Sequence, residues 1–249
     1  AAIARPNKPI GVRDMADEGF TKSVLFECEN AGDESIGEEK SPAIPYFVSI
    51  PGDKNIKDEA EILVKKLFQI MGLSVQYLEQ AKDEVRWPAR MQLIEKESNL
   101  FLLDAAHNPS GLLRVLPELI EKIKTLSPFV DGKQIWTLIF GTSPQKELDE
   151  MLSYVSQLCD KIQPTKIYLT KPLGGRYPGI ETQLLAQYEW PIENILQFEN
   201  AEKVLQSLYQ NSFSSNGLIV SLGSLYLQGN FLKHLGLDSD EELSILPKQ

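Results

Sequence analysis

Leu100-Phe101-Leu102-Leu103-Asp104-Ala105-Ala106-His107-Asn108-Pro109 is an apolar run that meets a charge, crosses two alanines and ends on a helix-start signature. An unbroken apolar run bounded by polar residues reads as a strand buried on both faces, here expected over Leu100–Ala106. Asn108 suits an N-cap and Pro109 the first helical position. Apolar residues at 112, 115, 116, 119, 120 and 123 then fall on one face of a helix expected over Pro109–Leu126. Its interior Pro117 predicts a kink or a break. A buried strand that runs directly into an amphipathic helix is the repeating unit of a parallel α/β sheet.

The rhythm continues outward. Met91–Glu97 alternates like a half-exposed strand. Further buried strands are expected at Gln134–Phe140, Lys166–Thr170, Ile195–Phe198 and Gly217–Leu222. Helices are expected at 147–162, 180–187, 201–209 and 226–235, with a Pro/Gly loop at Lys171–Gly179. The expected architecture is α/β, with a mostly parallel sheet and helices on both faces. Pro88 interrupts the pattern within Trp87-Pro88-Ala89-Arg90, which places a domain boundary there and divides the chain into 1–86 and 87–249. The first part is poorly punctuated. Ser23–Cys28 and Tyr46–Ile50 have strand character, the latter closed by Pro51-Gly52-Asp53, and Glu29–Ser41 reads as an acidic, exposed loop. Ile56–Ile70 has helical spacing with Gly72 as its stop, and Val75–Val85 is a shorter helical segment.

The chain has 249 residues, 25 Lys+Arg against 35 Asp+Glu, and a net charge of −10. That balance disfavours nucleic acid and polybasic membrane contact, both of which need clustered positive charge. The apolar runs are far shorter than the ~20 residues that span a bilayer. Two cysteines, Cys28 and Cys159, and two histidines, His107 and His234, are too few for a Cys-rich zinc cluster or a disulfide framework. Both thiols are expected to be buried, and a reduced, cytoplasmic setting fits. His234 is given no function, and Trp136 and Trp190 read as packing. Ala1 is not a start methionine, and the opening residues read as mid-domain sequence, so the chain is expected to be a fragment.

Ligands of parallel α/β sheets bind beyond the carboxyl ends of the strands. The stretches that matter are therefore Asp104–Ser110, Gly141–Lys146, Lys171–Tyr177 and Gly223–Ser224. Asp104 is a charge at the end of an apolar strand, and burying it demands a partner: a hydroxyl, a cation or a metal. His107 stands beside a helix start whose free N–H groups suit a phosphate. Read on their own, Asp104 as a helix cap and His107 as a structural histidine are equally open. Gly223-Ser224, ending a strand before a helix, could bind an anion but reads first as tight strand-to-helix packing, and Lys146 and Arg176, at loop positions facing the expected cleft, read as solvated cations.

Trp87-Pro88-Ala89-Arg90 followed by Leu103-Asp104-Ala105-Ala106-His107-Asn108-Pro109 resembles the W-P-G-R and L-D-G-A-H-N-P pair of folylpolyglutamate synthase and dihydrofolate synthase, members of the Mur ligase superfamily. Further similarity lies in Phe140-Gly141 with Lys146-Glu147 and Met151-Leu152, in Leu169-Thr170 with Arg176, and in Gly223-Ser224-Leu225-Tyr226-Leu227 with Gly229. The patches occur in order, and it is the set that is specific. Upstream, Pro51-Gly52 with Lys54-Asn55 and Ala60 faintly resembles the family's central-domain helix start. Ile3-Ala4-Arg5-Pro6-Asn7-Lys8-Pro9 resembles the segment past its catalytic-lysine loop. The sequence departs from the pattern at Ala89 and Ala105, where the family has glycine.

The resemblance implies a Rossmann-like C-terminal ligase domain at 87–249, preceded by the tail of an α/β central ATPase domain at 1–86. It implies a ligase that uses ATP and Mg2+ to add L-glutamate to a folate or dihydropteroate carboxylate through an acyl phosphate. Arg90 and Asp104 would be the ATP-binding residues and His107 the catalytic one. The localisation expected is cytoplasmic, with a mitochondrial form as the alternative. No G-x-x-G-K-[ST] loop occurs in the sequence, so the phosphates would be cradled by an N-terminal ATPase domain supplied in cis or in trans, and this chain alone is expected not to turn over. Another Mur-type amino-acid ligase, or a degenerate paralogue that binds nucleotide or a partner without catalysis, stays open beside this reading.

Overall fold

The computed structural model describes residues 8–31, 41–52, 54–76, 78–85, 87–210 and 217–244. Residues 3–7 of the upstream resemblance, 32–40 of the acidic loop and Asp53 of the turn lie outside the described residues. The chain divides into two units, Ala1–Val85 and Arg86–Gln249.

In the first unit β1 (Pro9–Arg13) and β2 (Ile44–Val48) pair in parallel, with α1 (Glu18–Glu29) between them in the chain. The stretch Ser23–Cys28, expected as a strand, is the second half of α1. Asp17 starts this helix by accepting the N–H of Phe20, and Val24 and Cys28, four residues apart, face Ile10, Ala31 and Ala43. A short apolar run carries no period of its own, and the cap upstream decides it. β1 was not expected; Gly11 disfavours a strand interior, whereas Pro9 stands at the first residue, where proline is tolerated. Gly11 serves a close approach: a Cβ there would lie 3.1 Å from Leu67 Cγ. Leu67 belongs to α2 (Ile56–Ile70), whose bounds match the expectation. Asn55 caps α2 by accepting from Asp58 N–H. Gly72, at φ +66, ends it, with Gly72 N–H donating to Gln69 and Leu73 N–H to Phe68. α3 (Leu78–Glu84) follows.

The second unit opens with a hairpin of β3 (Gln92–Lys96) and β4 (Asn99–Leu103), turned by Glu97 and Ser98, both at positive φ. Next come α4 (Pro109–Leu126), a small hairpin of β5 (Phe129–Val130) and β6 (Lys133–Gln134), β7 (Trp136–Phe140) and α5 (Leu148–Lys161). The chain continues through β8 (Lys166–Thr170), α6 (Thr182–Ala186), β9 (Ile195–Phe198), α7 (Ala201–Gln210), β10 (Leu218–Leu222) and α8 (Leu225–His234). The sheet order is β3-β4-β10-β7-β8-β9, antiparallel only at β3. This is the expected α/β architecture. Several strand bounds differ: β2 is Ile44–Val48 where 46–50 was expected, β3 lies one residue inside 91–97 at each end, and β10 starts at Leu218 instead of Gly217. The run to Ala106 leaves the ladder after Leu103, and Gln134 belongs to the small hairpin that precedes β7. Helix α4 does not break at Pro117. Pro117 and Leu113, whose carbonyl loses its donor, are both on the exposed side where water can serve it.

Alternate residues of the strands feed two cores. Leu102, Leu138, Phe140, Ile167, Leu169 and Val220 pack against α4 and α5, whereas Phe101, Leu103, Ile139, Tyr168 and Ile219 pack against α7 and α8. Chain order therefore puts the helix after β4 on one face and the helix after β10, its sheet neighbour, on the other. That divergence is a topological switch point, and the carboxyl ends of β4 and β10 that flank it are where ligands of open α/β sheets bind.

Candidate functional site at the strand-end crevice

The site is built on the turn Trp87–Arg90. Arg90 N–H donates to the Trp87 carbonyl at 3.1 Å, Pro88 holds the second position, and Ala89 holds the third at φ +55. Positive φ at the third position is the type II geometry that favours glycine. Of the two alanines standing at family glycines, Ala89 thus bears the backbone demand. Ala105 has no positive φ and is fully buried.

Three hydrogen bonds tie this turn and Met91, which follows it, to their surroundings within the second unit, and a fourth fixes Asp104 to its own strand end. Ala89 N–H donates to Gln92 Oε1 at 2.8 Å and Ala105 N–H to the Ala89 carbonyl at 2.8 Å. Met91 N–H donates to Asp104 Oδ2 at 3.0 Å, and Ala106 N–H to Asp104 Oδ1 at 2.8 Å. Asp104 is 2% exposed. Burial pushes its carboxyl above the ordinary range, against the pull of the two N–H groups and of the Arg90 charge. The partner that a buried strand-end charge demands is therefore mostly backbone. Asp104 does not cap α4; Asn108 does, accepting Gly111 N–H at 2.7 Å.

Arg90 is exposed and makes no ion pair among the described residues, while its charge acts on Asp104. His107 is exposed, and its Nδ1 lies 2.9 Å from the Ala105 carbonyl. A carbonyl only accepts, so Nδ1 carries the proton and Nε2 is the atom left to meet a ligand. The structure thus brings Arg90, Asp104 and His107 together at one strand end. The neighbouring stretch joins them through Gly223 N–H, which donates to the Ala106 carbonyl at 3.1 Å. Gly223 has φ +108, and a Cβ there would sit 2.7 Å from the Gly141 carbonyl oxygen. A Cβ at Gly141 would meet the Thr170 carbonyl oxygen at 2.1 Å. Both glycines are close-approach positions, and Ser224 caps α8 by accepting Leu227 N–H, as the packing reading expects.

The other rim cations behave differently from one another. Lys146 is exposed, Arg176 lies over the Tyr177 ring at 5.6 Å, and Lys171 pairs with Glu181. In the first unit the Lys54-Asn55 patch supplies the α2 cap. Both thiols are buried, and Cys159 is pushed up to about 12 by its surroundings. No group of three metal-ligating side chains occurs among the described residues. Sequence reasoning missed Gln92, which belongs to no motif and acts only through the turn its side chain holds, and the tie of the Ala106 carbonyl to Gly223 N–H, which depends on two distant segments meeting.

A largely parallel α/β domain with an exposed cation and an imidazole at its switch point is the architecture of a strand-end ligand site. No family model and no curated protein matches the chain. Solved structures do. The bifunctional folylpolyglutamate synthase/dihydrofolate synthase of Yersinia pestis, complexed with AMPPNP and a Mn ion, matches 94% of this chain with a TM-score of 0.64 and 17% identity. E. coli FolC in complex with DHPP and ADP matches 94% at 0.64 and 14% identity. Thermotoga maritima folylpolyglutamate synthase matches 82% at 0.53 and 18% identity. The chain spans 54%, 54% and 44% of those chains, about half their length. Its fold is that of the C-terminal portion of these synthases.

Proposed function

We propose that this chain is the C-terminal part of an ATP-dependent ligase that adds L-glutamate to a folate or dihydropteroate carboxylate. The observation that carries the reading is the meeting of Arg90, Asp104 and His107 at the switch-point strand end, in a fold shared with folylpolyglutamate and dihydrofolate synthases. In such a reaction the acceptor carboxylate attacks the γ-phosphorus of ATP and ADP leaves. The glutamate amine then attacks the acyl phosphate carbonyl, phosphate leaves, and a proton is lost as the amide forms. Arg90, always charged and planar, holds phosphate oxygens. His107 presents Nε2 to the reacting groups, and Asp104 belongs to the same nucleotide site. The unit that carries them closes on ATP, excludes water from the acyl phosphate and helps position glutamate.

The described residues fit a phosphate through Arg90 and His107. They do not fit a metal, since no group of three metal-ligating side chains occurs among them. Mg2+ and the phosphate cradle therefore belong to an N-terminal ATPase domain, in cis or in trans, and residues 1–86 are the tail of its central fold. The chain alone is accordingly inactive. A second reading, a degenerate paralogue that binds nucleotide without turnover, draws on Ala89 at φ +55 and on the absent glycine-rich loop.

The test is glutamate-dependent ADP release by the full gene product, with dihydropteroate and tetrahydrofolate offered as acceptors. We expect turnover with at least one of them and a loss of about 100-fold or more in Arg90→Ala. ATP binding without turnover supports the degenerate reading, and turnover unchanged in Arg90→Ala removes Arg90 from the mechanism.

A further inference from the structure

We infer that Asn230 is a positioning residue: its side-chain amide clasps the loop Lys171–Gly179 to α8 and so holds Arg176 at the carboxyl end of the sheet, where the guanidinium takes a carboxylate of a glutamate-bearing substrate. The inference rests on the ligase reading proposed above and adds the residue that sets where one substrate carboxylate goes.

Three observations carry it. The first is how the loop is tied. At its neck Lys171 pairs with Glu181, and a Cβ on Gly179 would lie 2.6 Å from Pro172 Cδ, so the two ends meet. At its middle Leu173 N–H donates to Asn230 Oδ1 at 2.8 Å, and Asn230 Nδ2 donates to the Leu173 carbonyl at 3.1 Å. One amide thus holds both backbone groups of a residue 57 positions away in the chain. Gly174, at φ +78, and Gly175 separate Leu173 from Arg176, and two glycines let the loop swing unless something outside it fixes its course.

The second observation is where the clasp brings the loop. A Cβ on Gly175 would lie 2.9 Å from Tyr226 Cδ2, so the residue before Arg176 abuts the first turn of α8. That helix follows β10, the sheet neighbour of β4. Strands β4, β10, β7 and β8 are mutually parallel, so the loop after β8 stands at the same pole as Arg90, Asp104 and His107. The third is the state of the cation. Lys171 spends its charge on Glu181, whereas Arg176 is exposed and makes no ion pair among the described residues, with only the Tyr177 ring beside it at 5.6 Å. An unneutralised guanidinium at the ligand pole suits an anion, and its planar fork matches a carboxylate. Phosphate is the role proposed for Arg90, and both glutamate and its acceptor bring carboxylates.

The experiment is steady-state kinetics of the full gene product, with glutamate, acceptor and ATP varied in turn, together with amide exchange at Leu173. Arg176→Ala should raise the KM of glutamate or of the acceptor about tenfold or more, and that of ATP by less than about twofold. Whichever KM rises identifies the carboxylate held. Asn230→Ala should speed Leu173 exchange about tenfold, leave the Val220 amide of the central sheet protected, and raise the same KM about fivefold or more. Alanine suits the half-buried outer side of a helix, and the Val220 amide checks that the variant folds. In an Arg176→Ala background, Asn230→Ala should raise that KM by less than about twofold further, because it acts through Arg176. Multiplying effects of the two substitutions would overturn the inference. So would a rise confined to the KM of ATP, an equal rise in every KM, or faster Leu173 exchange with every KM unchanged. A wild-type protein without glutamate-dependent turnover overturns the functional reading and the inference with it, an outcome distinct from multiplying effects in a protein that turns over.

Discussion

Every residue of β7 and β10 in the second unit is buried, whereas the fifteen residues of α2 in the first include no buried residue. The first unit exposes Met15, Phe20, Leu25, Phe26, Ile44 and Phe47, and its described sheet is a two-stranded parallel pair. Parallel sheets are stable when both faces are covered, as the second unit covers its own with α4 and α5 on one side and α7 and α8 on the other. Complete secondary structure is therefore no sign of a complete core. Helices such as α1 and α2 form from caps and local spacing, but their apolar faces stabilise the fold only where something packs on them.

The sharpest break of this comparison is a matched pair of truncations. Leu138→Ala, at a fully buried position in the middle of the sheet, should lower stability by about 2–5 kcal/mol. Phe26→Ala, 63% exposed on α1, should change it by less than about 0.5 kcal/mol. Urea unfolding of both variants checks this. Equal losses would mean that the first unit has a core of its own.

Smaller effects come from two carboxyls that should respond to pH in opposite directions. In the first unit the hydrogen bonds of Lys65 and Lys82 lower the Glu61 carboxyl from 4.5 to about 2. Its contribution to stability is therefore present above 4.5 and lost as pH falls through about 2. In the second unit burial raises Asp104 above 3.8. The fold favours its protonated form, so that contribution is present below 3.8 and lost as pH rises through the folded value. Comparing unfolding midpoints between about pH 2 and pH 7, Glu61→Gln should flatten the loss on acidification and Asp104→Asn the loss on raising pH. Parallel slopes in the two variants would refute the contrast.

The smallest expected effect sits at the site. Ala89→Gly relieves a left-handed alanine and should stabilise the second unit by up to about 1 kcal/mol in thermal melts, less whatever contact its buried methyl gives up. Destabilisation would show that the methyl outweighs the strain.

The sequence was most legible where one signal sufficed. α2 and α4 have the bounds that apolar spacing predicts, and the strand Lys166–Thr170 matches residue for residue. It misled where the deciding group lay outside the window read. Ser23–Cys28 joins a helix because of Asp17, and β1 exists despite Gly11 because Leu67 and β2 lie against it. At the site, the strand-to-helix passage with Asn108 and Pro109 put Asp104 and His107 at a strand end. Nothing in the spacing said that Asp104 would spend both oxygens on backbone, or that Ala89 would bear positive φ where Ala105 does not.

Local pattern by itself determined the alternation of strands and helices, the buried character of β4 and the residues that stand at its end, because periodicity and caps act within a turn or two of chain. Tertiary structure alone decided that β10 inserts between β4 and β7, that the switch point falls between β4 and β10, and that the Met91 amide, thirteen residues before Asp104, takes its carboxylate. Those outcomes depend on which surfaces can be buried together and on where each buried polar group finds its partner, and both are settled only when distant segments meet.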